Sequence, residues 1–306
     1  MARAIKRSGI HEALSATGSD RDLLPARLRK TYGIAEIPYD ILLSQAELAE
    51  VNTGSCRTLI LTPKENAKGT GVLYFSAGGF LIPPTEEDYR LALKITEETG
   101  CDVILPVCPL YPDVPLQDTI SSVLESVRLV ANRYPEGSSA VLAFSLGATL
   151  CLYLFLELKQ RGFPYTLPSR WLLNSPFLRI PPSNEELQYM DLLAPHDVTI
   201  PKEFLLPEGL MGQVFAEASP NILRFADISR CNLGGMPETD LYVGTKEIAL
   251  ACVEAFERNC ETAGIRLHVH EGLGMMHCWG LYAEMKEGRK LQKEYFDIFR
   301  TLSRIQ

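Results

Sequence analysis

Ser139-Ala-Val-Leu-Ala-Phe144-Ser145-Leu-Gly147-Ala-Thr-Leu-Cys-Leu-Tyr-Leu-Phe-Leu-Glu-Leu-Lys159 is the stretch on which the fold turns. Residues 139–144 form a short apolar run, which reads as a strand buried on both faces. From Gly147 onward the pattern is helical. Between the two lies one serine with the small residues Ala143 and Gly147 on either side, which lets the chain turn sharply from strand into helix.

The same unit recurs outward in both directions. Upstream, residues 57–62, 72–75 and 102–107 read as strands, while 85–99 and 116–134 carry helical patterns. Thr85 followed by Glu86, Glu87 and Asp88 places negative charge in a first helical turn, where the macrodipole favours it. Downstream, 171–174, 239–244 and 266–270 read as strands, with helices over 248–263 and 282–303. Strands and helices alternating at this spacing predict an α/β fold with a mostly parallel central sheet covered by helices on both faces. One domain over residues 1–306 accommodates it, since no internal repeat is visible. Segments at about 1–55 and about 183–226 have weaker periodicity and are expected to form a helical cap over that sheet.

Composition narrows the function classes. Hydrophobic residues make up 46% and charged residues 22%, far from the values of disordered or low-complexity chains. A net charge of -8 repels phosphate backbones and anionic lipid surfaces, so neither nucleic acid nor membrane is an expected partner. The apolar stretch 140–158 is interrupted by Ser145, Gly147, Thr149 and Glu157, as a buried strand and helix would be and a membrane span would not. After the basic residues near the start, His11, Glu12, Ser15, Asp20 and Arg21 leave no signal-peptide core, which predicts a cytoplasmic chain. The eight cysteines include no C-x-x-C pair and read as free thiols. The closest approaches to a metal site, His268-x-His270 and His277-Cys278, lack further ligands, so no metal and no cofactor are expected.

In a sheet of this kind ligands bind beyond the carboxyl ends of the strands. Ser145 sits at such an end. A serine there also serves as a helix cap, so its chemistry depends on partners. Its hydroxyl needs a base, and of the five histidines only His277 falls in a loop just past a strand, in Gly272-Leu-Gly-Met-Met-His277. The base needs a carboxylate, and Glu247 follows the strand that ends at Gly244, whereas Asp240 lies at that strand's amino end. Oxyanion donors are expected from Gly78 and Gly79, just after the strand 72–75, and from the amide of Leu146. The order Ser145, Glu247, His277 is the nucleophile, acid, base order of α/β-hydrolases.

With these residues in place the sequence resembles the hormone-sensitive-lipase or acetyl-esterase branch of the α/β-hydrolases, from about residue 70 to the C-terminus. The resemblance extends to Leu110-Tyr-Pro-Asp-Val-Pro-Leu116, Asn174-Ser-Pro-Phe177, Ser219-Pro220, Gly235-Met-Pro-Glu-Thr239, Gly244-Thr-Lys-Glu-Ile248 and Gly274-Met-Met-His277, in family order. It departs from the family at three points. The family's His-Gly-Gly-Gly reads Ser76-Ala-Gly-Gly79, its Gly-Asp-Ser-Ala-Gly-Gly reads Ala143-Phe-Ser-Leu-Gly-Ala148, and its usual acid, aspartate, is Glu247.

The resemblance implies a serine ester hydrolase acting through an acyl-enzyme on a small to medium apolar acyl ester, with activity falling below roughly pH 6 to 7 as the base protonates. Phe80 and Phe144 are expected to line the substrate site, and Leu146 and Phe144 beside the nucleophile to make its floor apolar and narrow. The cap candidates Leu192, Leu193, Phe204, Leu205, Leu206, Leu210, Met211 and Phe215 suggest a lid or an ordinary core. A non-hydrolytic small-ligand binder on the same fold, and acyl transfer or cyclisation at the same site, remain alternatives. A monomer or a homodimer is compatible with the sequence.

Overall fold

In the computed structural model, which describes residues 10–15, 37–162 and 167–303, eight strands form one sheet in the order β1-β2-β4-β3-β5-β6-β7-β8. The strands are β1 Ala46–Thr53, β2 Cys56–Pro63, β3 Gly71–Phe75, β4 Asp102–Val107, β5 Ser139–Phe144, β6 Arg170–Asn174, β7 Glu238–Gly244 and β8 Leu267–Gly272. β2 runs antiparallel to both of its neighbours, β1 and β4, and the rest of the sheet is parallel. This is the mostly parallel α/β sheet expected from the alternation.

β1 corrects the expected extent of the cap. Its residues fall inside the segment at about 1–55, yet they pair with β2 along their whole length, from Ala46 opposite Pro63 to Thr53 opposite Cys56. Edge position explains the weak signal. Only Ala46 and Thr53 at its two ends are buried, so the strand lacks the continuous apolar run of its central neighbours.

Alternation of side chains along each strand divides the core between the two faces. On one face Leu73, Val141, Ala143 and Leu173 pack beneath the helices α2 (Leu116–Arg133) and α3 (Ser145–Arg161). On the other, Tyr74, Leu142, Phe144 and Tyr242 meet α1 (Glu86–Thr99) and the C-terminal helix Lys286–Arg300. α1 starts with a capping box, in which the Thr85 amide donates to Asp88 Oδ2 at 2.8 Å.

The segment 183–226 contributes the helices Asn184–Leu193 and Leu210–Ala216 and shorter turns. Met211 and Phe215 are buried in the core beside α3, where the Phe215 ring meets Tyr153 at 5.9 Å, whereas Leu192 is 70% exposed. Among the described residues no helix is long and apolar enough to cross a membrane.

Parallel register brings the strand ends into line. Phe75 lies opposite Ala143, Phe144 opposite Asn174, Asn174 opposite Tyr242 and Gly244 opposite Gly272. Residues that follow these positions in the chain therefore converge on one rim.

Candidate active site

Ser145 follows β5 directly and opens α3 with φ 49°, in the left-handed region that a side chain rarely adopts. The strain is held by close packing. A Cβ on Gly147 would lie 2.3 Å from the Ser76 carbonyl oxygen, so only glycine lets the elbow press against the turn that follows β3.

His277 lies past β8, and its Nε2 is 2.7 Å from Ser145 Oγ. Its Nδ1 is 2.5 Å from Glu247 Oε2. The carboxylate is fully buried, and its other oxygen accepts from Ser175 Oγ at 2.8 Å and from the Gly244 amide. The oxygen that faces away from the histidine thus accepts two donors. A buried carboxylate held in this way favours the Nδ1-H tautomer, which leaves Nε2 free to take a proton from the hydroxyl.

Two residues that support this relay, Ser175 and Asp197, are given no role by the sequence alone. Ser175, just past β6, has φ 51°, and its hydroxyl donates to Glu247 while accepting the Cys278 amide at 3.0 Å, which ties the acid loop to the histidine loop. Asp197 lies in the segment 183–226. It accepts the Ile248 amide at 2.9 Å and the amides of Thr199 and Ile200, fixing the residue next to Glu247. Burial pushes its carboxyl up, against the pull of His277. The Asn174-Ser-Pro-Phe177 motif was the only sequence signal for Ser175. Asp197 had none.

The imidazole of His277 is buried and stacks on the Phe177 ring at 5.4 Å between centroids. Burial acts against its charged form, but the Cys278 sulfur and the Glu247 carboxylate beside the ring outweigh burial and raise its pKa well above the usual imidazole value.

The glycine turn after β3 meets the elbow from the other side. Gly79 has φ 55°, and a Cβ there would lie 2.9 Å from Leu146 Cβ. Its amide differs from expectation, because it donates to the Ser76 carbonyl at 3.1 Å within its own turn. Gly78 and Leu146 border the cavity, and neither amide has a backbone partner among the described residues. Asp88, buried beneath this turn, accepts the Thr85 amide at 2.8 Å and the Tyr74 hydroxyl at 2.9 Å.

A cavity of about 290 Å³ opens over Ser145 and His277. Its apolar walls are Ile10 and Leu14 from the N-terminal turn, Leu81 and Ile82 after the glycines, and Ile200 and Phe204 from the segment 183–226. Phe80 and Phe144 are corrections: both are fully buried and neither reaches the cavity. Alternation sends Phe144 to the face opposite Ala143, against Tyr74 at 5.8 Å and Tyr295 at 6.4 Å, while Phe80 packs into the core on the other face. Of the named lid candidates, only Phe204 lines the cavity. Asp240 is bound to Arg170 and to His270 at 2.8 Å, on the strand rather than at the rim.

The family model described as alpha/beta hydrolase fold matches residues 72–281. An esterase of Acinetobacter venetianus is 26% identical over 221 residues, which is 72% of this chain and 71% of that protein. Among solved structures, an esterase from the bacterial hormone-sensitive lipase family superposes with a TM-score of 0.76 at 18% identity, covering 98% of this chain and 97% of that one. A hormone-sensitive lipase from a metagenome library does so with a TM-score of 0.77 at 18% identity, covering 99% of each chain.

Proposed function

Since this chain belongs to the alpha/beta hydrolase fold family, we propose that it is a serine ester hydrolase of the carboxylesterase type. The observation that carries this reading is His277, which bridges Ser145 Oγ at 2.7 Å and the buried Glu247 carboxylate at 2.5 Å. Ser145 attacks the ester carbonyl as His277 removes its proton. Glu247 holds the ring and balances the imidazolium. The amides of Gly78 and Leu146 receive the oxyanion. The alcohol then leaves with the proton from His277, and water, activated by the same ring, releases the acid. This sequence of steps needs no cofactor.

The relatives named as esterases support the ester bond as the target. The cavity supports a small to medium apolar acyl ester, since about 290 Å³ is at the low end for ligand sites. Thr199 adds a polar contact: its hydroxyl is buried at the cavity wall and has no partner among the described residues, so it is placed to receive a polar atom of the substrate. We read the segment 183–226 and the turn Ile10–Leu14 as the cap, because both supply walls to this cavity. The free state of all eight cysteines suits a reducing, cytoplasmic setting.

A panel of p-nitrophenyl esters tests the proposal. For the shortest acyl chains kcat/KM rises about fourfold per methylene, the equivalent of about 0.8 kcal/mol of apolar burial, and it falls once the cavity is full. No turnover of any member of the panel would reject the reading.

The pH profile tests the base. Only the neutral ring accepts the proton, so kcat/KM is lost as pH falls through the pKa of His277 in the free enzyme. That pKa is raised, so the acid limb lies above the ordinary imidazole range, at higher pH than the sequence alone implied. A limb in the carboxylate range would assign it to another group.

A further inference from the structure

Cys56 and Cys108 form a dithiol outside the site described above, and the geometry points to a modification site there: we propose that hydrogen peroxide joins them in a cross-strand disulfide. β2 and β4 are antiparallel, with Arg57 opposite Val107 as the last registered pair, so the next pair along is Cys56 opposite Cys108. The pair class follows from Pro106. Proline has no amide hydrogen, so its position opposite Thr58 is a non-hydrogen-bonded one, and alternation gives Cys56 and Cys108 the same class. Such pairs hold their Cα atoms about 4.5 Å apart, within the range that a disulfide spans. Both side chains lie in the same hydrophobic cluster, on one face of the sheet, where the Cys56 thiol donates to the Val107 carbonyl at 3.3 Å.

The two thiols have different surroundings. Thr53, Thr58 and Ser126 form a triangle of hydroxyls at 2.8 to 2.9 Å from one another, and Thr53 also donates to the Cys56 carbonyl at 3.3 Å. The neighbouring Cys108 thiol, and after it the hydroxyls of Thr58, Thr53 and Ser126, lower the pKa of Cys56 against the opposing effect of burial. Cys108, beside Cys56 and buried, is pushed up. One sulfur is therefore suited to attack and the other to resolve. Burial raises Cys151, Cys231, Cys252 and Cys260 instead.

In the first step the Cys56 thiolate attacks one peroxide oxygen, the O–O bond breaks, and a sulfenic acid forms with release of hydroxide, which takes up a proton to give water. In the second the Cys108 sulfur attacks the Cys56 sulfur, the S–O bond breaks, and the hydroxide leaves as water with the Cys108 proton. Two thiols are oxidised to one disulfide while one peroxide is reduced to two waters. Cys56, the attacking sulfur, is 1% exposed and Cys108 8%, so peroxide, a small molecule, has to enter past Cys108.

The full-length reduced protein, treated with hydrogen peroxide and then alkylated in denaturant, tests this by non-reducing peptide mapping. The expected result is a cross-linked pair of peptides two hydrogen masses lighter than their sum, released by dithiothreitol, with Cys151, Cys252 and Cys260 still alkylated. Fragmentation at Pro106 separates Cys108 from Cys101. In Cys108→Ser the Cys56 sulfenic acid lacks its resolving thiol and is trapped by dimedone. If that variant does not fold, the wild-type map decides alone. Full alkylation of Cys56 and Cys108, or their oxidation only in step with the other buried thiols, would overturn the proposal, as would a Cys56 oxidised to sulfinic acid without a cross-link.

Discussion

Ser145→Ala is expected to lower kcat on p-nitrophenyl esters by about 10⁵-fold, a loss typical of removing the nucleophile from a serine–histidine–carboxylate relay. KM should change little, because the cavity walls at Leu81, Ile82, Ile200 and Phe204 are untouched. A fluorophosphonate should label the wild type at Ser145 and leave the variant unlabelled. The fold should survive, since the substitution removes one hydrogen bond, to His277 Nε2, worth about 1 kcal/mol. Ser145→Gly separates function from strain. At φ 49° glycine has no Cβ penalty, so this variant should be equally inactive yet melt at a temperature no lower than Ser145→Ala. Residual activity within tenfold of wild type in either variant would place the nucleophile elsewhere.

The central strands were legible because burial on both faces left them no polar alternation to confuse with a helix. Residues 140–144 and 103–105 are apolar throughout, and Gly100, Pro109 and Gly137 nearby mark the ends of their strands. The rim residues could be found because each of Ser145, Glu247 and His277 follows its strand within a few positions. Partners that depend on tertiary contact were hidden. Asp197 acts from a segment without clear periodicity, through backbone amides that any sequence supplies. Phe144 was misread for a different reason: proximity in sequence to Ser145 suggested proximity in space, whereas the pleat turns adjacent side chains to opposite faces. Gly79 was assigned a donor role, but its positive φ and its contact with Leu146 make it the residue that lets two loops approach.

Glu247→Gln should lower kcat by about 10³- to 10⁴-fold while leaving the overall shape of the site intact. The amide is close to isosteric with the carboxylate, but it replaces one acceptor with two hydrogens. Glu247 Oε1 receives the Ser175 hydroxyl and the Gly244 amide, and Oε2 receives His277 Nδ1. If the glutamine oxygen takes the Oε1 position, its NH₂ faces Nδ1, and the ring must carry its hydrogen on Nε2. Ser145 then meets a donor in place of a base. In the other orientation the NH₂ meets the Gly244 amide, leaving buried donors unsatisfied at a cost of about 1–3 kcal/mol. Either arrangement is worse than the carboxylate, and the first is catalytically idle. The pH dependence gives a second readout. Glu247 is one of the groups that raise the pKa of His277, so its neutralisation lets burial lower that pKa, and the acid limb of the residual activity moves to lower pH. Glu247→Asp keeps the charge but withdraws the carboxylate from a ring fixed by stacking on Phe177, and it should retain more activity than the glutamine variant. A Glu247→Gln enzyme with wild-type kcat and an unmoved acid limb would show that the ring is oriented by something other than this carboxylate.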